Sequence, residues 1–283
     1  MKLVTLLVLL LTFNAFSQTL QFYMPKDGGQ FLEVGVSKND ITIIDTSLGD
    51  QYRIDSPEKN TSIRFDKAIS PFWSFGFKYT STDANGEIEN YDTAPSTTGN
   101  YDRKGPRDLP IYIYGLLGSF YWKAIYYHAL EQAKDGDNKT NYSTGSHFGL
   151  SLGFLITPNT GVRLDHTPGY NYEIDDGIVD DDEYEKGAQT SFAFFKEFTF
   201  EDTLYGVELS YLGFNKSTRT NNDGGSGTKY NIKSAEAVKT KFYPAINFGS
   251  FQIISNISFT NYINVKDSSR TELEFGADFR FNF

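Results

Sequence analysis

His147, next to Ser146 and close to Ser143, and His166, next to Asp165, are the pairings from which a hydrolase could be assembled. Acyl transfer needs a Ser nucleophile, a His base and an orienting Asp or Asn within mutual hydrogen-bond reach. The chain has no Gly-x-Ser-x-Gly elbow, and neighbours such as Ser146 and His147 on one strand point to opposite faces, so catalysis is the least favoured reading. A second cluster packs Glu173, Asp175, Asp176, Asp180, Asp181, Asp182, Glu183 and Glu185 against Lys186. Oxygen donors at that density suit a hard cation such as calcium, with Glu173, Asp175, Asp180 and Asp182 as the candidate ligands. The spacing departs from the helix-loop-helix calcium pattern, since Gly177 comes one place late when counted from Asn171. The expectation is therefore a solvated acidic loop and no resident cofactor or metal.

Composition removes further classes. The 283 residues include no Cys, which excludes disulfides, thiolate-held zinc, iron–sulfur clusters and a Cys nucleophile. Acidic residues outnumber basic ones by 36 to 26, for a net charge of −10, and no basic stripe or phosphate-cradling Gly loop is present, so nucleic acid is not an expected partner. The chain is unusually aromatic for its negative mean hydropathy, with 25 Phe and 19 Tyr but only two Trp. A soluble core leans instead on Leu, Ile, Val and Ala.

The elements that must carry these rings are strands. Leu273, Phe275, Ala277, Phe279, Phe281 and Phe283 alternate with Glu272, Glu274, Gly276, Asp278, Arg280 and Asn282. A period of two means a strand with two chemically opposite faces. The same alternation recurs at 73–79, 148–156, 205–211 and 251–259, and no stretch has helical spacing of comparable strength. Short connections near 69–71, 118–119, 157–161, 200–203 and 249–250 take turns with long polar ones near 46–60, 83–108, 131–145, 169–187, 217–233 and 265–269. Short turns at one rim and long loops at the other define an all-β, up-and-down antiparallel transmembrane β-barrel. We count twelve strands, near 30–45, 61–69, 72–82, 109–117, 119–130, 146–156, 161–168, 188–199, 203–216, 234–248, 250–263 and 270–283. Because Lys38, Asn39 and Asp40 interrupt the first, a ten-strand barrel with a separate N-terminal segment is the alternative. Strands of about ten residues suit a tilted crossing of the apolar band better than the shorter strands of a sandwich. Pairs such as Tyr112/Tyr114 and Tyr121/Trp122 are expected at the interfacial girdles.

Residues 1–17 carry Lys2, an apolar run from Leu3 to Leu11 broken only by Thr5, and Ala15-Phe16-Ser17, the layout of a secretory signal cut before Gln18. The remaining organisation is then a short periplasmic segment at 18–29 and a barrel at 30–283. The alternating aromatics Phe275, Phe279, Phe281 and Phe283 resemble the C-terminal insertion signal of Gram-negative outer-membrane barrels. That resemblance implies outer-membrane lipid around the barrel, recognition by the outer-membrane assembly machinery, and a last strand that closes on the first. The termini would then be periplasmic and the long loops extracellular.

Alternation directs Lys78, Arg163, Asp165, Glu208, Lys239, Lys241, Glu272, Glu274, Asp278 and Arg280 into the lumen, five acids against five bases. Two readings stay open: a polar pore whose charges select small solutes, or a lumen filled by paired charges in a barrel that serves other outer-membrane or periplasmic proteins through its loops.

Overall fold

The computed structural model describes residues 19–25, 28–45, 52–90, 98–106, 108–133, 141–143, 145–175, 182–201, 203–221, 228–232, 234–263 and 268–283. Twelve antiparallel strands close into one barrel. β1 is Gln30–Asp45, β2 Tyr52–Ser70 and β3 Trp73–Asn90. Seven strands come in two consecutive parts: β4 Thr98–Pro106 and Asp108–Leu117, β5 Phe120–Ala129 and Glu131–Ala133, β6 Asn141–Ser143 and His147–Thr157. They continue with β7 Thr160–Thr167 and Tyr170–Asp175, β8 Asp182–Lys186 and Gln189–Phe200, β9 Thr203–Phe214 and Ser217–Asn221, and β10 Thr228–Ile232 and Ala235–Phe248. β11 is Phe251–Tyr262 and β12 Ser268–Asn282.

Each strand pairs with its sequence neighbours, and β1 pairs with both β2 and β12, from Phe31 opposite Asn282 to Asp45 opposite Ser268. The backbone N–H of Gln30 donates to Phe283 O at 2.8 Å and that of Phe283 to Gln30 O at 2.9 Å, which closes the seam at the short-turn rim. β1 is thus a full stave, and the ten-strand alternative does not hold. Closure leaves no sheet edge, the condition for placing a sheet in lipid.

Two-residue connections at 71–72, 118–119, 158–159 and 249–250 form the short-turn rim, where Phe200 also pairs with Thr203. Tight hairpins need positive φ at a central residue, and Gly118 (φ 61°) and Gly249 (φ 69°) provide it without a Cβ clash. At the opposite rim the strands outrun the sequence expectation. β2 begins at Tyr52 rather than 61 and stays paired with β3 out to Asn90, so much of the anticipated loops is ladder. The reason is that Glu58, Lys59 and Asn60 lie opposite Ala84, Asp83 and Thr82, with polar side chains on both sides of the sheet. Beyond the apolar band a strand needs no greasy face, and period two vanishes although the pairing does not.

The outer surface carries the apolar residues. Ile63, Phe75, Phe148, Phe154, Leu209, Phe259 and Phe275 stand there with 37 to 67% of their area exposed. So large a contiguous apolar surface marks a lipid-facing belt rather than a soluble exterior. Phe281 and Phe283 also face outward, and Phe251 packs against Phe279 and Phe281 at centroid distances of 6.3 and 4.9 Å. Tyr112, Tyr114 and Tyr121 do not join the girdle: they are buried inside, at 3, 1 and 6% exposure. Their strands alternate Tyr with Ile or Trp, so both faces are apolar and the pattern could not say which was inner.

Candidate functional site

The lumen is divided lengthwise into two unlike halves. Against the β4, β5, β6 and β8 wall lies a buried cluster of Tyr112, Tyr114, Tyr121, Leu155 and Phe195, completed by Phe22 and Met24 from the segment before β1. This segment, read from sequence as a short periplasmic piece, enters the barrel at the short-turn end. Phe22 stacks on Tyr121 (4.4 Å, 11°) and meets Phe195 edge-on (5.1 Å, 90°). Gly153 leaves the space for its ring, since a Cβ there would strike Phe22. Polar contacts fix the rest. The Leu20 N–H donates to Glu197 Oε2 (3.1 Å), whose other oxygen accepts from Tyr243 OH (3.0 Å). Arg163 Nη1 donates to Gln21 Oε1, Tyr23 OH donates to Asn282 Oδ1 (2.7 Å), and the Arg280 guanidinium lies 4.4 Å from the centre of the Tyr23 ring.

The other half, walled by β1–β3 and β10–β12, is polar and hollow. A cavity of about 430 Å³ lies toward the long-loop rim, and a second of about 200 Å³ lies below it, floored by Leu20 and Gln21. Lys78, Lys241, Asn256 and Asp278 line both, and so form the neck between them.

All ten charges assigned to the lumen stand on inward positions, but only some work together. Arg163 pairs with Asp165 (2.9 Å) and Glu208 (3.2 Å), backed by hydrogen bonds from Ser151 to Asp165 and from Ser210 to Glu208. Lys239 pairs with Glu274 (3.3 Å), which also accepts from Ser258 (3.0 Å). Glu272 is held by Arg270 and by Tyr262 OH (3.1 Å). Arg280 makes a two-pronged contact with Glu33, at 2.6 and 2.8 Å. Lys78, Lys241 and Asp278 differ, because among the described residues none has an ion-pair partner within 4.0 Å. Lys241 sits directly across from Glu208 on the β9–β10 ladder, yet Glu208 is already engaged by Arg163. Lys78 has Arg64 as its cross-strand neighbour.

The sequence reading missed Glu33, Arg64, Asp66, Lys123 and Glu197. Arg64 pairs with Asp66 (2.7 Å), donates to Tyr112 OH (2.8 Å) and approaches Glu33 (3.9 Å); Lys123 Nζ lies 3.6 Å from the centre of the Tyr112 ring. The signal was present, since Glu33 alternates with Leu32 and Val34, and Arg64 and Asp66 with Ile63 and Phe65.

The other candidates are dispersed. His147 is sandwiched between Tyr127 (4.5 Å) and Tyr170 (3.9 Å), with Nδ1 2.9 Å from Gly145 O, while Ser146 Oγ accepts from the Ala129 N–H (3.2 Å). His166 faces outward near Thr190 (3.0 Å), whereas Asp165 faces inward to Arg163, so the two are not a base and its orienter. Of the acidic loop, Glu173 and Asp175 end β7 and Asp182 begins β8, with Glu173 opposite Glu183; Asp180 lies outside the described residues, as do 1–18 of the signal reading. Among the described residues no three metal-ligating side chains come together.

No family model and no curated protein sequence matches the chain. Its fold is that of solved outer-membrane barrels. The COG4313 outer membrane channel from Pseudomonas putida F1 superposes with a TM-score of 0.62 at 10% identity, over 94% of this chain and 100% of that one. The transport unit of the autotransporter AIDA-I from Escherichia coli gives 0.61 at 8% identity, over 99% and 97%. A TodX monoaromatic hydrocarbon channel mutant gives 0.50 at 10% identity, over 96% and 94%. Fold, apolar belt and closing seam together define a transmembrane β-barrel with the architecture of outer-membrane barrels.

Proposed function

We propose that this protein is a small outer-membrane channel, a passive route for small polar solutes, exported by the 1–17 signal, with periplasmic termini and extracellular long hairpins. The observation that carries the reading is the hollow polar half of the lumen: a barrel built only as a wall would have paired or filled the positions of Lys78, Lys241 and Asp278, because unpaired charges away from water are costly. The 19–25 segment acts as the floor of that path, so conduction requires it to shift or lets solutes pass beside it. Lipid surrounds the belt, and the Phe275–Phe283 strand is the element the assembly machinery would recognise. In planar bilayers, the purified barrel should show discrete conductance steps whose ion preference changes with Glu272→Gln. A folded, heat-modifiable barrel that stays silent even after residues 19–25 are removed would overturn the reading. The same segment favours a second reading, a non-conducting subunit of a larger outer-membrane complex, which a stoichiometric partner copurifying with a silent barrel would support.

A further inference from the structure

The neck between the two cavities holds an unusual set of groups. Two ammonium groups, Lys78 and Lys241, and one carboxylate, Asp278, line the same space without an ion pair among the described residues. Asn256 and Asn39 add neutral polar side chains to the lining, and among the described residues their buried Oδ1 atoms have no hydrogen-bond donor. The arrangement is built in: a Cβ on Gly35 would collide with Asp278 Oδ1 and Ser62 Oγ, and one on Gly276 would come 2.8 Å from Asn256 Nδ2, so two glycines open the room these polar groups occupy. Every other inward carboxylate named above has a cationic or hydroxyl partner.

What ligand would complete these groups can be decided by charge. A simple anion would meet the lysines but crowd Asp278. A simple cation would meet Asp278 but face two ammonium groups, and a neutral sugar would leave all three charges uncompensated. A solute bearing both a carboxylate and an ammonium group meets the lysines and Asp278 each with the opposite charge. We propose that the neck is a binding site for an amino-acid-like zwitterion, its carboxylate held between Lys78 and Lys241 and its ammonium by Asp278. A chamber of about 430 Å³ is within the size range of small-molecule sites.

The proposal rests on the lumen being solute-accessible, and its test is equilibrium binding rather than transport. The folded full chain in detergent is titrated with radiolabelled L-alanine, propionate and ethylammonium, three probes of one skeleton that differ only in which charges they carry. Alanine should bind saturably and each single-charge probe at least about tenfold more weakly, the scale of one lost charge-assisted hydrogen bond. Lys241→Gln should weaken alanine by a similar factor, and Asp278→Asn should bring propionate up to the level of alanine. Propionate or ethylammonium binding as tightly as alanine to the unmodified protein overturns the proposal, as does the absence of saturable alanine binding. A barrel that binds alanine but never conducts refutes the channel reading alone; one that conducts without discriminating the three probes refutes only the zwitterion site.

Discussion

The two halves of the lumen face the same axis and come from the same alternation, yet one is packed like a protein core and the other is hollow and charged. The β4–β8 half puts Tyr112, Tyr114, Tyr121 and Phe195 on inward positions and admits the ring of Phe22 over Gly153. The β10–β12 half puts Lys239, Lys241, Glu274 and Asp278 on equivalent positions and leaves about 430 Å³ open. In a narrow barrel, then, the inward side chains alone do not decide whether there is a passage. A few residues outside the staves fill one half and floor the other.

The most severe way to break this contrast is to remove Glu33. It lies buried between Arg280 and Arg64, and Glu33→Ala leaves Arg280 without its two-pronged partner. Losing one member of a buried pair costs about 3–5 kcal/mol. The expected outcome is a loss of that size in urea unfolding from lipid vesicles, while Glu33→Met with Arg280→Met recovers most of it.

An intermediate effect sharpens the role of the segment. Gly153→Val puts side-chain atoms where the Phe22 ring lies, so residues 19–25 should leave the lumen while the barrel stays closed. Single-channel conductance should rise severalfold and match that of a 19–25 deletion, and protease should cut at Tyr23 in the variant only. If conductance is unchanged, the aromatic half is not what obstructs the path.

The smallest effect is the control. Lys38 and Asp40 pair at 2.8 Å on the outer face, 52 and 41% exposed. Such pairs contribute less than about 1 kcal/mol, so Lys38→Ala should leave both unfolding and conductance within error.

How far the sequence could be read varied with position. Within the lipid band, β12 showed both of its faces, because Leu273 to Phe283 must meet hydrocarbon while Glu272 to Arg280 must avoid it. On β4 and β5 the same logic failed, since Tyr112 and Ile113 are both apolar enough for either environment. Beyond the band, Asp55, Ser56, Glu58, Lys59 and Asn60 put polar side chains on both faces, so the paired extension of β2 left no periodic trace. The Arg163 cluster was visible residue by residue, but its partners Glu208 on β9 and Gln21 before β1 are distant in sequence.

What the amino-acid order determined by itself is the wall: twelve amphipathic strands, alternate short and long connections, and an aromatic last strand, all enforced by the contrast between lipid and lumen at every second residue. The contents of that wall are set by the folded barrel instead. Which inward charges form ion pairs, which of those described at the neck do not, and where Phe22 comes to rest depend on strand register and barrel closure. These set distances between residues up to 259 positions apart, as in Tyr23 and Asn282, and no local pattern encodes them.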